Sequence, residues 1–311
     1  MSDQKTVLVT GVAGFIGRHV ARLFVEQKWQ VIGIDSSSPE NAPLLGLTEY
    51  RSLRLPSGEL PELLQKYQPD LCVHCAGRAA VALSVREPLA DFYANTVLTM
   101  EMLDALRRFS PQCKFIFLSS AAVYGNPIEL PISELHKSEP VSPYGFHKLQ
   151  SEQLCKEFSE VHGLATASVR IFSAYGAGLR RQVLWDICYK ALTEKVVKLQ
   201  GTGQESRDFV HALDVARALI LIEQMAPMRG EIYNLASGQE VKVVDLAKMV
   251  LNCLNYEGEL EFEGTVPVGV PLNWQANVSK LLSLGFSHQV NLDDGVNNFV
   301  NWCKLELQKY G

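Results

Sequence analysis

The hydrophobic pattern changes period at regular intervals through the first half of the chain. Continuous apolar runs at residues 7–10, 31–35, 71–76, 115–120 and 166–172 read as buried strands. Between them, residues 15–27, 60–66, 89–109 and 144–162 carry apolar side chains at three- and four-residue spacing, which predicts helices with one buried face. Strand, helix, strand repeated in this way specifies an α/β fold, a doubly wound parallel sheet with helices on both faces. The alternation weakens after Ala174. Residues 176–203 and 238–311 read as helices and loops of a smaller, mainly helical C-terminal lobe, and residues 208–234 as a return to the first. The expected division is one domain over 1–173 and 208–237 and a second lobe over 174–207 and 238–311. No repeat, low-complexity tract or extended linker interrupts the chain, so the lobes are expected to pack closely.

Composition narrows the function classes. The 311 residues are 47% apolar and 20% charged, ordinary values for a globular protein with a full core. With 29 Lys and Arg against 34 Asp and Glu the net charge is −5, without a basic block. That excludes the clustered cations of a nucleic-acid footprint. Apolar runs such as 218–222 fall far short of the roughly 20 residues that cross a bilayer. The start, Met1-Ser2-Asp3-Gln4-Lys5, leads straight into a strand pattern, so no signal peptide is expected and the chain reads as cytoplasmic. The seven scattered cysteines do not form the even framework of a small secreted domain. Cys72-Val73-His74-Cys75 matches C-x-x-C, but residues three apart on a strand face opposite ways, so both thiols read as core. His74 reads as a hydrogen-bonded core histidine. The histidines show no metal spacing, and no metal is expected.

Candidate chemistry begins at the first strand's end. Thr10-Gly11-Val12-Ala13-Gly14-Phe15-Ile16-Gly17 joins that strand to the first helix. Gly11 suits a tight turn, Gly14 a close backbone approach to a pyrophosphate, and Gly17 close packing of helix on strand. The helix N-terminus then offers unpaired N–H groups to phosphate anions. Asp35 ends the next strand, 18 residues after Gly17, where a carboxylate accepts hydrogen bonds from the adenosine ribose and repels a 2′-phosphate. Ser36-Ser37-Ser38 follow, with no arginine for such a phosphate. NAD is the expected cofactor.

Tyr144 and Lys148 stand four apart at a helix start marked by Pro143, so both side chains share one face. A phenol with a pKa near 10 is a poor base at neutral pH, and a neighbouring ammonium favours its ionised form. Ser120 ends the strand 115–120, whose C-terminal end opens on the cofactor crevice. It can donate to the oxygen that Tyr144 protonates or deprotonates.

These residues carry a family resemblance. The chain resembles the extended short-chain dehydrogenase/reductase family, specifically its NAD-dependent nucleotide-sugar epimerases and dehydratases of the UDP-glucose 4-epimerase kind. The likeness runs over most of the chain, on Thr10–Gly17, Asp35, His74-Cys75-Ala76-Gly77, Asn95, Ser119-Ser120-Ala121-Ala122-Val123-Tyr124-Gly125, Tyr144 to Lys148, Arg170 to Gly176 and Arg207-Asp208-Phe209-Val210-His211. It implies a Rossmann domain for the dinucleotide and a smaller lobe for a nucleotide sugar. It further implies Ser120, Tyr144 and Lys148 as catalytic residues. Gly11, Gly14, Phe15, Ile16, Gly17, Asp35, Ala76, Gly77 and Asn95, with Tyr144 and Lys148, are implied to bind the cofactor, Asn95 supporting the lysine through water. Ser120, Ser173 and Arg207 are implied to meet the substrate, Arg207 at its diphosphate.

In such enzymes the tyrosine takes a proton from a sugar hydroxyl, usually at C4, as hydride passes to the nicotinamide. The related 4,6-dehydratases carry an Asp-Glu pair beside the serine, and the decarboxylases a glutamate before Val-Tyr-Gly. Here those places are Ala121 and Ala122. What remains is 4-epimerisation, with reduction of a nucleotide-linked 4-keto sugar by NAD(P)H as the alternative and a non-catalytic dinucleotide-binding regulator as a third. Asp35 favours the epimerase, since reductases of the family often use NADPH.

Departures from the family pattern qualify the substrate site. Ser173 replaces a common asparagine, and no Arg-x-Gly-Asp occurs near Val268-Gly269-Val270-Pro271-Leu272-Asn273-Trp274. Of the adjacent Arg180 and Arg181, only one is expected at the phosphates, and Arg181 is assigned. No Asp lies near residues 54–56, where relatives use an acid on the adenine, which leaves that base to backbone groups. Trp185 and Trp274 are expected in the core rather than flanking a base, and His147 on another helix face. Phe92, Leu98, Met100 and Leu154 are expected to point outward and pair across a two-fold axis in a homodimer.

Overall fold

The computed structural model describes residues 4–38, 46–265 and 272–309. Residues 1–3 and 268–271, both invoked above, lie outside the described residues. The chain begins β1 (Thr6–Thr10), α1 (Phe15–Glu26), β2 (Gln30–Asp35), β3 (Glu49–Ser52), α2 (Leu60–Tyr67), β4 (Leu71–His74), α3 (Val81–Arg86) and α4 (Pro88–Phe92). It continues with α5 (Leu98–Phe109), β5 (Lys114–Ser120), α6 (Pro143–His162), β6 (Thr166–Ile171), β7 (Ser173–Tyr175), α7 (Gln182–Thr193), β8 (Val196–Leu199) and β9 (Ser206–His211). The remainder is α8 (Ala212–Met225), β10 (Arg229–Leu235), β11 (Glu240–Lys242), α9 (Val243–Leu254), β12 (Glu259–Phe262), α10 (Ser279–Leu282) and α11 (Leu292–Gln308).

Seven of these strands form one parallel sheet in the order β10-β6-β5-β4-β1-β2-β3. This is the doubly wound Rossmann-like architecture, and its order reverses between β1 and β4, where a crevice opens at the strand ends. Alternate residues of one strand feed opposite cores. Val7, Val9 and Ile116 pack with Phe24 and Leu219 on the α1–α8 face, while Leu8, Phe115 and Phe117 pack with Leu64, Met102 and Phe158 on the other. Both faces are covered, which is why these strands are continuously apolar. A third core, with Leu184, Ile187, Val197, Leu246 and Phe299, joins α7, α9 and α11.

The structure departs from the periodicity in four places. β3, Glu-Tyr-Arg-Ser, is a half-buried edge strand without an apolar run. The C-terminal part holds more than helices, since β8 pairs with β12, and β9 pairs with β7 and β11. Residues 208–234 return to the large sheet through α8 and β10, not through β9. Finally, the expected helix 89–109 is α4, a π-helical turn at Tyr93–Val97, and α5. The π turn shifts the register by which outward positions are counted. Leu98 consequently points inward at 6% exposure, and Leu154 packs on the core, while Met100 is exposed and Phe92 lies half-buried against His147. The exposed apolar residues there are Leu89, Tyr93, Met100 and Phe146.

All seven cysteines are free, and five are buried. Cys72 is buried in one core and Cys75, half-buried just beyond β4, packs against the opposite one, and Cys75 also lines the crevice. No helix of the described residues is long and apolar enough to cross a membrane.

Candidate active site

β1 ends in a turn that only glycine fits. Gly11 has φ 65°, and a Cβ there would stand 2.7 Å from the Ala76 nitrogen. At Gly17 a Cβ would come within 2.1 Å of the Gly11 carbonyl, so α1 can start this close to the turn only without one. Gly14 caps α1 with extended backbone and no side chain, leaving the first N–H groups of the helix directed at the crevice. Phe15 and Ile16 line the same space.

Asp35 sits at the tip of β2. One carboxylate oxygen accepts from the Ala13 N–H at 3.0 Å and the other from the Ser37 N–H at 2.9 Å. It lines a cavity of about 660 Å³ with Leu53, Arg54, Leu55, Ala76 and Gly77. A glycine cradle at a helix N-terminus, with a carboxylate one strand away, fits the diphosphate and ribose of NAD. Asp35→Ser is expected to reduce the preference for NAD over NADP by about 10- to 100-fold, since hydrogen bonds to a charged group contribute about 1.5–3 kcal/mol. Dissociation constants for the two dinucleotides check this, and an unchanged ratio contradicts it.

Ser120 ends β5. Its Oγ accepts from the Ala122 N–H at 3.2 Å and lies beside the Tyr144 hydroxyl, whose pKa it lowers. Tyr144 is placed by the first turn of α6, where Pro143 is the first residue and the Ser142 Oγ caps the Gly145 N–H. The Tyr144 N–H donates to Ser84 Oγ at 3.1 Å. One turn on, the Lys148 ammonium donates to the Leu118 carbonyl at 2.9 Å and lies 5.8 Å from the Tyr144 ring centre. Burial raises the Tyr144 pKa above the ordinary phenol value, against the Ser120 hydrogen bond and the Arg181 charge. Burial also lowers Lys148 to about 8, opposed first by Asp91. At neutral pH the pair therefore holds a phenol proton beside a buried cation. An oxygen reaching both hydroxyls can take or give that proton.

Asn95 stands in the π turn, where its Nδ2 donates to the Arg78 and Asp91 carbonyls at 3.2 and 3.1 Å. Its buried Oδ1 has no hydrogen-bond partner among the described residues. His147, on another face of α6 from Tyr144 and Lys148, is buried and tied to Asp91, Nδ1 to Oδ2 at 2.6 Å, which joins α6 to α4. The sequence reasoning missed Asp91. Its signal, an acid inside an amphipathic run one turn before Asn95, was blurred by the π turn. His74 bonds Thr10 Oγ1 at 2.8 Å through Nδ1, and burial together with Lys148 lowers it to about 3, so it is neutral.

A cleft of about 610 Å³ extends from Ser120 and Tyr144 past Ser173 to Arg181, Arg207 and Trp274. Arg181 precedes α7 and donates to the Ala79 carbonyl at 2.6 Å, whereas Arg180 turns away to pair with Glu306. Arg207 donates to the Ser206 and Leu272 carbonyls at 2.6 and 3.1 Å, and burial lowers it to about 10, which leaves it charged at neutral pH. Trp274 does both things weighed for it. It packs on Phe172 and donates to the Gly125 carbonyl, and it also lines the cleft. Trp185 stacks on Tyr189 and lines a second cavity of about 560 Å³, which shares Arg181, Gln182 and Arg207 with the first. Ala121 and Ala122 are buried in a 3₁₀ turn. Arg78, Lys148, Arg181 and Arg207 line the cleft, and no carboxylate or histidine among the described residues does. No group of described residues could hold a metal ion.

A doubly wound sheet, a glycine cradle with its acid, and a Ser-Tyr-Lys set at the crevice define a dinucleotide-dependent protein that exchanges a proton with a bound hydroxyl. Comparison with known proteins agrees. The chain belongs to the NAD dependent epimerase/dehydratase family, whose model matches residues 7–236. It is 29% identical over 307 residues to a putative UDP-glucose 4-epimerase of Methanocaldococcus jannaschii, covering 96% of this chain and 98% of that one. Its fold is similar to that of UDP-glucose 4-epimerase from Thermotoga maritima with UDP-glucose, at TM-score 0.88 and 28% identity, covering 97% and 99% of the two chains. UDP-glucuronic acid 4-epimerase from Bacillus cereus, in complex with UDP-glucuronic acid and NAD, matches at TM-score 0.89 and 26% identity over 97% and 99%.

Proposed function

We infer that this chain is an NAD-dependent nucleotide-sugar epimerase acting at C4 through a transient 4-keto sugar. The observation that carries this is the wall of the cleft, which among the described residues has one proton-exchanging phenol, four cations and no carboxylate. An elimination of water needs a second acid and base, and Ala121 and Ala122 supply neither. NAD, when bound, supplies the acceptor and donor of the C4 hydrogen.

The residues divide the remaining work. Tyr144, in the ionised form that the neighbouring Lys148 ammonium favours, takes the C4 hydroxyl proton and returns it to the oxygen of the inverted alcohol. Ser120 holds that oxygen by a hydrogen bond in both directions. Lys148 keeps positive charge beside the phenol, so that the ionised form costs less in a buried site. Arg181 and Arg207 stand between the two substrate-side cavities, where a diphosphate joins sugar to base, and their charge supports that assignment. The second cavity is then the base site. Residues 1–173 and 208–237 would hold the dinucleotide and the rest the nucleotide sugar.

Incubation with UDP-, dTDP-, GDP- and CDP-hexoses without added dinucleotide tests the proposal. It predicts one pair of 4-epimers reaching the same mixture from either side. A strict need for NAD(P)H with a 4-keto sugar would favour the reductase instead, and absence of turnover a regulator.

We propose that the protein is a homodimer, formed through the α4–α5 and α6 face. Leu89, Tyr93, Met100 and Phe146 are 66%, 59%, 40% and 51% exposed there, and single chains seldom leave such residues together in water. Sedimentation at micromolar concentration should give the dimer mass, and a monomer would contradict this. Seven unpaired thiols agree with a reducing, cytoplasmic setting.

A further inference from the structure

Two cavities meet at the middle of the cofactor crevice, one reaching Asp35 and the other Tyr144 and Lys148. The residues common to both walls are Gly11, Gly14, Cys75, Gly77 and Arg78. A dinucleotide that spans both cavities has its diphosphate between them. The glycine loop and the start of α1 offer backbone N–H groups, which carry only partial charge. Arg78 is the cation among the shared residues.

Its setting is built. The Arg78 carbonyl is held by the buried Asn95 amide at 3.2 Å, and Gly77 before it lies against Asn95, where a Cβ would come within 2.8 Å of Oδ1. One guanidinium nitrogen bonds Glu87 at 2.7 Å, with the two side chains 26% and 53% exposed. A guanidinium carries five donors in a rigid fork, so one carboxylate contact leaves most of them for a second anion.

We propose that Arg78 is the side-chain cation for the diphosphate of the bound dinucleotide, with Glu87 holding it at the crevice rim. The proposal rests on the NAD reading of the crevice. It gives Arg78 a role in retention: an enzyme that returns hydrogen to the carbon it came from gains from slow cofactor release, and contacts of this kind act mainly on the dissociation rate.

The test is calorimetric titration of the cofactor-stripped full chain with NAD and, separately, with adenosine, which lacks the diphosphate. Arg78→Ala is expected to weaken NAD binding about 10- to 100-fold and leave adenosine binding within about twofold, with Arg78→Lys intermediate. Stopped-flow displacement should show the loss chiefly as faster NAD release. Glu87→Gln, which loosens the guanidinium from the rim, should weaken NAD binding by less than Arg78→Ala does. Equal NAD affinity in Arg78→Ala and the parent overturns the proposal, and so does a parallel loss of adenosine binding, which marks a structural role. If the parent binds adenosine but not NAD, the cofactor reading itself fails.

Discussion

Tyr144→Phe is expected to lower kcat by about 10²- to 10⁴-fold, the range supplied by a positioned proton donor and acceptor. The substitution removes one oxygen from a ring that is 8% exposed and otherwise fixed by its backbone bond to Ser84 and by the capped first turn of α6. Fold and cofactor binding should therefore survive, and the loss should fall on kcat rather than on KM. Within the described cleft no carboxylate or histidine can replace the phenol, and Ser120 alone lacks a suitable pKa. Steady-state kinetics with the best nucleotide sugar checks this, beside an NAD binding curve to show that the site is intact. Retention of more than about a tenth of parent activity would remove Tyr144 from its role.

The second large effect concerns stability. Glu152, on α6 one turn beyond Lys148, pairs with Arg170 on β6 through two bonds, at 2.9 Å to Nε and 2.7 Å to Nη2. Their side chains are 0% and 3% exposed. Ser119 Oγ donates to the same carboxylate at 2.5 Å, and the guanidinium lies 4.6 Å from the Tyr124 ring centre. The pair thus ties β5, α6 and β6 together directly behind Ser120 and Lys148. Removing one partner leaves a buried charge uncompensated, at a cost of about 3–5 kcal/mol. Arg170→Met and Glu152→Leu should each fall in that range by urea unfolding of the cofactor-free protein. The double variant, with neither charge, should be destabilised by clearly less than the sum of the two. Single effects below about 1 kcal/mol would mean that water or a rearrangement satisfies the remaining partner.

The parts of the molecule legible in the sequence are those where one physical demand dominates. Strands β1, β2, β4, β5 and β6 are buried on both faces and read as apolar runs. Tyr144 and Lys148 lie on a regular helix whose cap and proline are local signals. Asp35 and the glycine loop are legible because a strand-turn-helix leaves few residue types that fit. Less was legible where the demand is tertiary. β3 and β11 are short and partly exposed, so no alternation develops. The π turn around Asn95 breaks the 3.6-residue count and hid the direction of Leu98 and the partner of His147. Arg180 and Arg181 are indistinguishable as neighbours, and only the position of Glu306, more than a hundred residues away, separates them.

The central claim is that this chain moves the C4 hydrogen of a nucleotide sugar away and back within one bound complex. The most direct measurement is incubation of the turned-over nucleotide sugar, deuterated at C4, with the purified protein and no added dinucleotide, followed by NMR of the product. The account predicts the 4-epimer with deuterium retained at C4. Loss of the label to solvent, or formation of the epimer only when a reduced dinucleotide is supplied, would contradict it.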